Sequence, residues 1–450
     1  MKPHPSAAPL APEEFAALMP AVPQPIAIAV SGGPDSMALA WCAQRWAKTR
    51  ADNHNETKGI IAFIVDHQLR PESGDEAKTV RQRLAALGIP AEILRWNHPP
   101  VTTRIHATAR QARYDLLLNA CRRHGIATLL LAHQREDQAE TVLMRLAKGS
   151  GIDGLAGMAA TTTRNGVSLL RPLLAIPKAR LIATCEAANI PYVNDPSNSA
   201  TKYARGRLRQ VLPLLAAEGL TIDRLIDLGE RAQEAKDALD HATETLLRTA
   251  VKPDRGGRIL LQTAAFDEAP KAIAIKALSA CLAYLHKDDY PPERAALLPL
   301  VAALQSGNAM KAHTLYGVIV SRDAAHITLL REPASVTDRQ PLAPGGTVVW
   351  DGRWRVTLSP HSAAHNLEVR ALGPQEHATL DRLAPKLRKQ VPQGRARSTL
   401  PGLWRGATLI GIPALTDAGN ASKENAESWT TPLPPFWSQP LAPRDEKDKE

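Results

Sequence analysis

The sequence contains few cysteines and few aromatic residues. Only four of its 450 residues are cysteine, and they are widely spaced, with no C-x-x-C pair among them. A disulfide framework, a zinc knuckle and an iron–sulfur site are therefore not expected. Aromatic residues make up 4% of the chain, so alanine and leucine must fill most of the interior.

Long apolar runs are also missing. The first 24 residues contain Glu13, Glu14 and several prolines, where a signal peptide would carry a continuous apolar segment. No stretch reaches the roughly 18 apolar residues that a membrane span needs. We therefore expect a cytoplasmic protein without a membrane partner.

The charge balance is basic. With 55 lysines and arginines against 45 aspartates and glutamates, the formal net charge is +10. Such an excess predicts attraction to a polyanion, and nucleic acid is the commonest one for a soluble protein. The chain of 450 residues is longer than chains that form a single hydrophobic core usually are, so two or three domains are expected.

Short apolar runs alternate with segments of helical spacing from residue 25 to about 210, which predicts an α/β fold with a parallel sheet. The candidate strands span 25–30, 59–65, 91–96 and 127–132, and the candidate helices between them span 35–47, 75–88 and 106–125. Ligands of such sheets bind beyond the carboxyl ends of the strands. Three of these ends run into polar residues: Ser31, then Asp66 and His67, then His133.

The rest of the chain has a different character. We expect helices over 221–250, 270–286 and 292–305, then hairpins turning near 322–325 and at 351–352. The domain prediction is an N-terminal extension (1–24), the α/β domain (25–212), a helical linker or first C-terminal domain (213–335), a β-rich C-terminal domain (336–440) and a disordered tail (441–450).

The stretch SGGPDS (31–36) follows the first strand and opens a helix. Glycines allow close backbone approach, and unpaired amides at a helix start attract an anion. Asp35 would repel a phosphate unless a cation such as Mg²⁺ lay between them. Taken alone, a Gly-Gly turn of this kind is more often a plain strand-to-helix turn with a serine cap, and the other motifs of the chain favour the phosphate site.

Two further segments carry candidate site residues. AHQREDQAETVLMRL (132–146) predicts a helix with His133, Asp137 and Glu140 on one face. That face could hold a cation, an amine or a phosphate, or it could simply be solvated. A literal G-x-G-x-x-G at 149–154 follows this helix instead of a strand, so we interpret it as a flexible loop near the site.

Basic residues offer candidate contacts for phosphate and RNA. Arg110 and Arg113 are i, i+3 neighbours that could clamp phosphate oxygens. Lys202, Arg205, Arg207 and Arg209 surround Tyr203, a mixture that suits RNA backbone contact and base stacking. The run at 387–398 is a second basic patch. Each of these is equally typical of a solvated surface.

Taken together, these motifs resemble the tRNA(Ile)-lysidine synthase family, a branch of the PP-loop or N-type ATP pyrophosphatases. The resemblance rests on SGGPDS (31–36), VDHQLRPES (65–73), ARQARY (109–114), the segment 132–158, RPLL (171–174) and DPSN (195–198), in the family's order. It covers the first 210 residues, and segments after residue 313 also look like C-terminal regions of some members.

The resemblance implies an enzyme that uses ATP, Mg²⁺ and free L-lysine to convert the wobble cytidine of a CAU-anticodon tRNA(Ile) into lysidine. Decoding would change from AUG to AUA. The cytidine 2-oxygen would attack the α-phosphorus of ATP, and the lysine ε-amine would then displace AMP. The β-rich domain would bind tRNA, and a homodimer is left open.

The resemblance also implies roles for individual residues. The ATP-binding set would be Ser31, Gly32, Gly33, Pro34, Asp35, Ser36, Asp66 and His67, with Asp35 as the Mg²⁺ ligand. The catalytic set would be Asp35, Arg113, His133 and Asp137. The substrate set for lysine and tRNA would be Asp137, Glu140, Arg205, Arg207 and Arg209.

The sequence departs from the usual family pattern at Gln68, Gln134, Glu136 and Gly206, where glycine, histidine, aspartate and asparagine are common. Two alternatives stay open on the residues. A tRNA sulfurtransferase of the PP-loop class would need a persulfide cysteine or an iron–sulfur cluster. A non-catalytic tRNA-binding module would need none of the catalytic set.

Overall fold

The computed structural model describes residues 8–49, 59–98, 105–193, 204–252, 254, 256–286, 292–375, 394–415 and 428–432. The chain divides into two compact units, and the boundary between them in the sequence lies between Lys236 and Asp237. Among the described residues, no helix combines the length and apolarity that crossing a membrane requires. The boundaries expected at 212 and 335 stay predictions, and the tail 441–450 lies outside the described residues.

The first unit is built on a six-stranded sheet. Its strands are β1 (Ile26–Ala29), β2 (Ile60–Asp66), β3 (Ala91–Arg95), β4 (Thr128–Leu130), β5 (Thr161–Arg164) and β6 (Val167–Leu170). Its helices are α1 (Pro12–Leu18), α2 (Pro34–Lys48), α3 (Ser73–Ala86), α4 (Ile105–Arg123), α5 (Arg135–Ala147), α6 (Ile152–Leu155), α7 (Lys178–Ala187) and α8 (Ala204–Ala217). Helix α9 (Ile222–Ala250) runs from the first unit into the second.

The strand order is β3-β2-β1-β4-β6-β5, and every neighbouring pair is parallel except β5 and β6. The predicted α/β fold with a parallel sheet is confirmed, as are its four strands and the helices between them. Strand β1 lies between β2 and β4. The polar residues that follow these three strands therefore lie at one edge of the sheet.

The hairpin of β5 and β6 was not predicted. These strands pair antiparallel through a two-residue turn of Asn165 and Gly166, which have φ of +49° and +80°. An Asn-Gly turn with two positive φ values matches the twist of a hairpin. The signal was present in the sequence, but the strands are only four residues long.

Both faces of the sheet are covered by helices. Ile26 and Ile28 belong to the apolar core that includes α2 and α3, whereas Ala27 belongs to the core that includes α4. This alternation follows from the period of two in a strand. The N-terminal extension joins the first core, because Phe15 of α1 is fully buried there.

The described residues of the second unit form helices and three sheets, and the β-rich character of its C-terminal part is confirmed. Its helices are α10 (Thr263–Glu268), α11 (Lys271–Leu285), α12 (Arg294–Leu304) and α13 (Arg395–Ser398), with a short 3-10 helix (Pro333–Ser335). Strands β7 (Val251–Lys252), β8 (Ile259–Gln262), β9 (Met310–Leu315), β10 (Val318–Arg322) and β11 (His326–Arg331) form one sheet.

Two four-stranded sheets complete this unit. One contains β12 (Gln340–Leu342), β15 (Leu367–Ala371), β16 (Pro401–Arg405) and β17 (Thr408–Gly411). The other contains β13 (Thr347–Trp350), β14 (Trp354–Leu358), β18 (Ala414–Leu415) and β19 (Ser428–Pro432). Both expected hairpins, β10 with β11 and β13 with β14, are present with antiparallel pairing.

Candidate active site

The turn after β1 has the geometry of an anion cradle. Gly32 has φ of +85°, and a Cβ there would lie 2.5 Å from Cγ2 of Val80, so only glycine fits this position. The Ser36 hydroxyl accepts a hydrogen bond from the Ser31 amide at 3.2 Å and donates one to the Gly33 carbonyl at 3.1 Å. Helix α2 starts at Pro34, and its first amides have no acceptor within the helix.

Asp35 lies in the first turn of α2 with a largely buried carboxylate. Its Oδ1 is buried and has no hydrogen-bond partner among the described residues, while Oδ2 lies 3.6 Å from Nζ of Lys178. Burial, together with the nearby carboxylates of Asp137 and Glu136, raises the pKa of Asp35 to about 6 against the opposing effect of Lys178. This carboxylate would be stabilised by an additional cation.

Helix α5 begins with a capping box at the same edge of the sheet. The Gln134 side chain accepts from the Glu136 amide, and Asp137 accepts from the Gln134 amide. Glu136 also accepts from the Lys178 amide at 2.9 Å. The expectation that His133 shares a helix face with Asp137 and Glu140 is wrong, because Gln134 is the cap and His133 precedes the helix.

Glu140 and Arg209 form an ion pair between α5 and α8. Arg209 donates from Nε to Glu140 Oε1 and from Nη2 to Oε2 at 3.1 Å. Its Nη2 also lies 3.7 Å from Asp137 Oδ1. These bonds and the nearby carboxylates of Asp137 and Asp35 raise the pKa of Arg209. Two members of the substrate set expected from the sequence, Glu140 and Arg209, therefore contact each other.

The other basic candidates lie on α4 and α8 or outside the described residues. Arg207 is exposed on α8, and the side chain of Arg205 lies outside the described residues, as do Lys202, Tyr203, DPSN (195–198) and most of the patch 387–398. The guanidinium carbons of Arg110 and Arg113 lie 5.4 Å and 5.6 Å from the centre of the Tyr114 ring. They share one aromatic neighbour on α4.

Asp66 and His67 lie at the end of β2. The Asp66 carboxylate accepts from the Ser73 hydroxyl at 2.7 Å and from the Gln68 amide at 3.0 Å. Burial and the nearby Arg113 lower the pKa of His67 to about 4, so its imidazole is neutral at physiological pH. Gln68 has φ of +51°, a conformation that favours the glycine usual at this position.

Two basic residues at the site were not predicted. Lys178 opens α7, and its only sequence signal was a position shortly after RPLL (171–174). Arg145 donates to the carbonyls of Gly154 and Gly157 at 2.8 Å and 2.6 Å. The segment that the sequence predicted as a flexible loop therefore includes α6 and is tied to α5.

The cradle, the parallel sheet and the charged edge define a class of ATP-binding proteins. A family model described as PP-loop domain matches residues 11–215. The tRNA(Ile)-lysidine synthase of Methylobacterium sp. (strain 4-46) is 42% identical over 315 residues, 68% of this chain and 89% of that protein. The one of Ruegeria pomeroyi is 34% identical over 407 residues, 90% of this chain and 92% of that protein. The chain belongs to the tRNA(Ile)-lysidine synthase family.

One solved structure is partly similar to this chain. The U34-tRNA thiolase NcsA from Methanococcus maripaludis, with its [4Fe-4S] cluster, aligns with 46% of this chain and 72% of that chain. The sequence identity is 19% and the TM-score is 0.39, values too low to bear on function.

Proposed function

We propose that the chain ligates lysine to the 2-position of the wobble cytidine in a CAU-anticodon tRNA(Ile), at the expense of ATP. The cytidine 2-oxygen attacks the α-phosphorus of ATP, an O–P bond forms, and pyrophosphate leaves. The lysine ε-amine then attacks C2, a C–N bond forms, and AMP and a proton are released. The modified tRNA reads AUA in place of AUG.

The observation that carries this proposal is the anion cradle of Gly32 and Ser36 beside Asp35, in a chain of this family. Ser31, Gly32, Gly33, Pro34 and Ser36 would hold the phosphates of ATP, with the start of α2 facing negative charge. Asp66 and His67 would border the adenosine. Arg113 and His133 would stabilise the charge that develops at the α-phosphate as pyrophosphate leaves.

Asp35 fits the metal expected at such a site. Its Oδ1 is buried without a hydrogen-bond partner among the described residues, and carboxylate oxygen is a preferred ligand of Mg²⁺. Bound Mg²⁺ would neutralise phosphate charge. Lys178, 3.6 Å from the other carboxylate oxygen, would hold Asp35 in place and face the phosphates.

Asp137 and Glu140 are the proposed contacts of the lysine ammonium group. Glu140 is only 3% exposed, and the Arg209 guanidinium already neutralises it. These carboxylates therefore already bind a cationic group, which supports selection of a cationic amino acid. Lysine binding would require Arg209 to share or release these carboxylates.

The tRNA contacts follow from charge. The net charge of +10 supports electrostatic binding of an RNA backbone, and Arg205, Arg207 and Arg209 are the proposed contacts in the first unit. The β-rich C-terminal domain is proposed as the second contact region. A homodimer stays a proposal.

The sulfurtransferase alternative finds less support. All four cysteines are buried. Burial raises the pKa of Cys42, Cys185 and Cys281 to about 12 and that of Cys121 to about 11. Such thiols are poor sources of thiolate for a persulfide. The non-catalytic alternative does not explain why a buried carboxylate and a bidentate ion pair converge beside the anion cradle.

The proposal is tested by incubating the protein with ATP, labelled lysine and a CAU-anticodon tRNA(Ile) transcript, followed by digestion to nucleosides. We expect a lysine-bearing cytidine, and none from a transcript whose wobble cytidine is replaced by uridine. Sulfur in the product would support the sulfurtransferase instead. A transcript that is not modified at all would support the alternative of a non-catalytic tRNA-binding module.

A further inference from the structure

An aromatic pair, Trp96 and His98, lies beside His67 at the edge of the sheet where the carboxyl ends of the strands meet. In β2, Phe63 and Val65 contribute to the core on the α4 side, so His67 continues the same face beyond the strand end. In β3, Leu94 belongs to that core, and Trp96 follows on the same face. The pairing of β2 with β3 therefore brings the rings of His67 and Trp96 together.

The rings are held in a defined arrangement. The Trp96 amide donates to the Asp66 carbonyl at 2.9 Å, which extends the pairing of β3 with β2 by one residue. The centres of the Trp96 and His98 rings are 3.7 Å apart with an angle of 32° between their planes. The edge of His67 meets Trp96 at 6.2 Å between ring centres. His98 Nε2 contacts the His67 carbonyl at 3.0 Å.

Core packing does not account for Trp96. Its side chain is half-buried, and it belongs to none of the apolar clusters formed by the described residues. The chain has only eight tryptophans, and two others, Trp350 and Trp354, are fully buried in the second unit. The half-exposed indole therefore offers a flat apolar surface at this edge of the sheet, where a ligand could cover it.

The polar groups beside the pair suit a nucleotide. His67 Nδ1 is buried and has no hydrogen-bond partner among the described residues, so it is available to a base edge or a ribose hydroxyl. The positive charge of Arg113 is close enough to lower the pKa of His67 and could meet a phosphate. A flat apolar surface, a neutral imidazole and a guanidinium match the base, sugar and phosphate.

We propose that Trp96 and His98 form a stacking platform for a nucleobase. The base is either the adenine of ATP or a base of the tRNA anticodon loop; both present the same π-face. This inference rests on the proposed function, which supplies both nucleotides. Aromatic side chains bind bases in this way with little dependence on sequence.

The test compares Trp96→Leu, which keeps apolar bulk, with Trp96→Phe, which keeps an aromatic ring. Binding is followed by fluorescence with 2-aminopurine riboside triphosphate as the ATP probe, and with tRNA(Ile) carrying 2-aminopurine in the anticodon loop. Stacking quenches this fluorophore. We expect Trp96→Leu to relieve the quenching of one probe and to weaken its binding between about 5-fold and about 150-fold.

The matched controls are Trp96→Phe, which should retain most of the quenching and affinity, and Trp41→Leu, which makes the same replacement at a half-buried tryptophan of α2 and should change neither. An effect confined to the ATP probe assigns the platform to adenine, and one confined to the tRNA probe assigns it to a tRNA base. Equal behaviour of Trp96→Leu and wild type overturns the proposal. So does a Trp96→Phe variant as impaired as Trp96→Leu.

If Trp96→Leu does not fold, wild-type protein is photocrosslinked to 8-azido-ATP and to tRNA carrying 4-thiouridine in the anticodon loop. Crosslinks at Trp96 or His98 support the platform, and crosslinks only elsewhere refute it. Lysidine formation by the wild type is measured in parallel. Quenching that depends on Trp96 without any lysidine refutes the proposed function alone, whereas lysidine with no effect at Trp96 refutes the platform alone.

Discussion

Replacing Asp35 by asparagine should stabilise the free protein while it abolishes activity. The pKa of Asp35 is raised from 3.8 to about 6, chiefly by burial. Because the folded pKa is above the unfolded one, ionisation destabilises the fold as pH rises from about 4 to about 6, and the cost persists above that. At about 1.4 kcal/mol per pKa unit, a shift of about two units costs up to about 3 kcal/mol.

Asp35→Asn removes this cost, because an amide carries no charge. Urea denaturation at about pH 7.5 should show a free energy of unfolding up to about 3 kcal/mol higher than in the wild type. Near about pH 4 the difference should vanish, since the wild-type carboxyl is then mostly protonated. Lysine incorporation should fall at least about 100-fold, because the amide cannot provide the anionic ligand.

Asp227→Asn is the matched control. It removes an exposed carboxylate of α9 in the same unit and should change neither stability nor turnover. If Asp35→Asn is no more stable than the wild type at neutral pH, the ionised Asp35 carboxylate does not destabilise the fold. The assigned role is refuted if the variant incorporates lysine at the wild-type rate.

Further predictions concern the cradle, the lysine pocket, the strand end and the thiols. Gly32→Ala should destabilise the first unit by about 1–3 kcal/mol in urea denaturation and weaken ATP binding in calorimetry, because its Cβ would meet Val80. Glu140→Gln should raise the KM for lysine at least about 10-fold with little change in the KM for ATP; equal changes in both would contradict the lysine assignment. Gln68→Gly should stabilise the protein by up to about 1 kcal/mol by relieving its positive φ; destabilisation would show that the Gln68 side chain matters. Ellman's reagent should modify no cysteine before unfolding, since all four are buried.

The cradle was predictable because its signals are local. Pro34 and Gly32 each follow from backbone rules that act within a few residues, and the structure has Pro34 at the first position of α2. The start of α5 was misplaced, because its cap is Gln134 and glutamine is not among the preferred cap residues. The sequence therefore did not indicate where α5 begins, because glutamine occupies the cap position there.

The contacts that complete the site depend on packing. Arg209 and Glu140 are 69 residues apart and meet only because α8 packs against α5. Lys178 reaches Asp35 because α7 packs against α2. No spacing rule relates such pairs. The pairing of β2 with β3 likewise determines that Trp96 lies beside His67, so this contact had no signal in the sequence.

Adenylation of the wobble cytidine before lysine is attached can be tested by a pulse and chase with ATP labelled at the α-phosphorus. With the CAU-anticodon tRNA(Ile) and no lysine, label should accumulate on the wobble cytidine of the tRNA while pyrophosphate is released. Adding lysine should release the label as AMP and leave lysine on that cytidine in equal amount. A tRNA that never takes up label, or label whose release does not depend on lysine, would contradict the account.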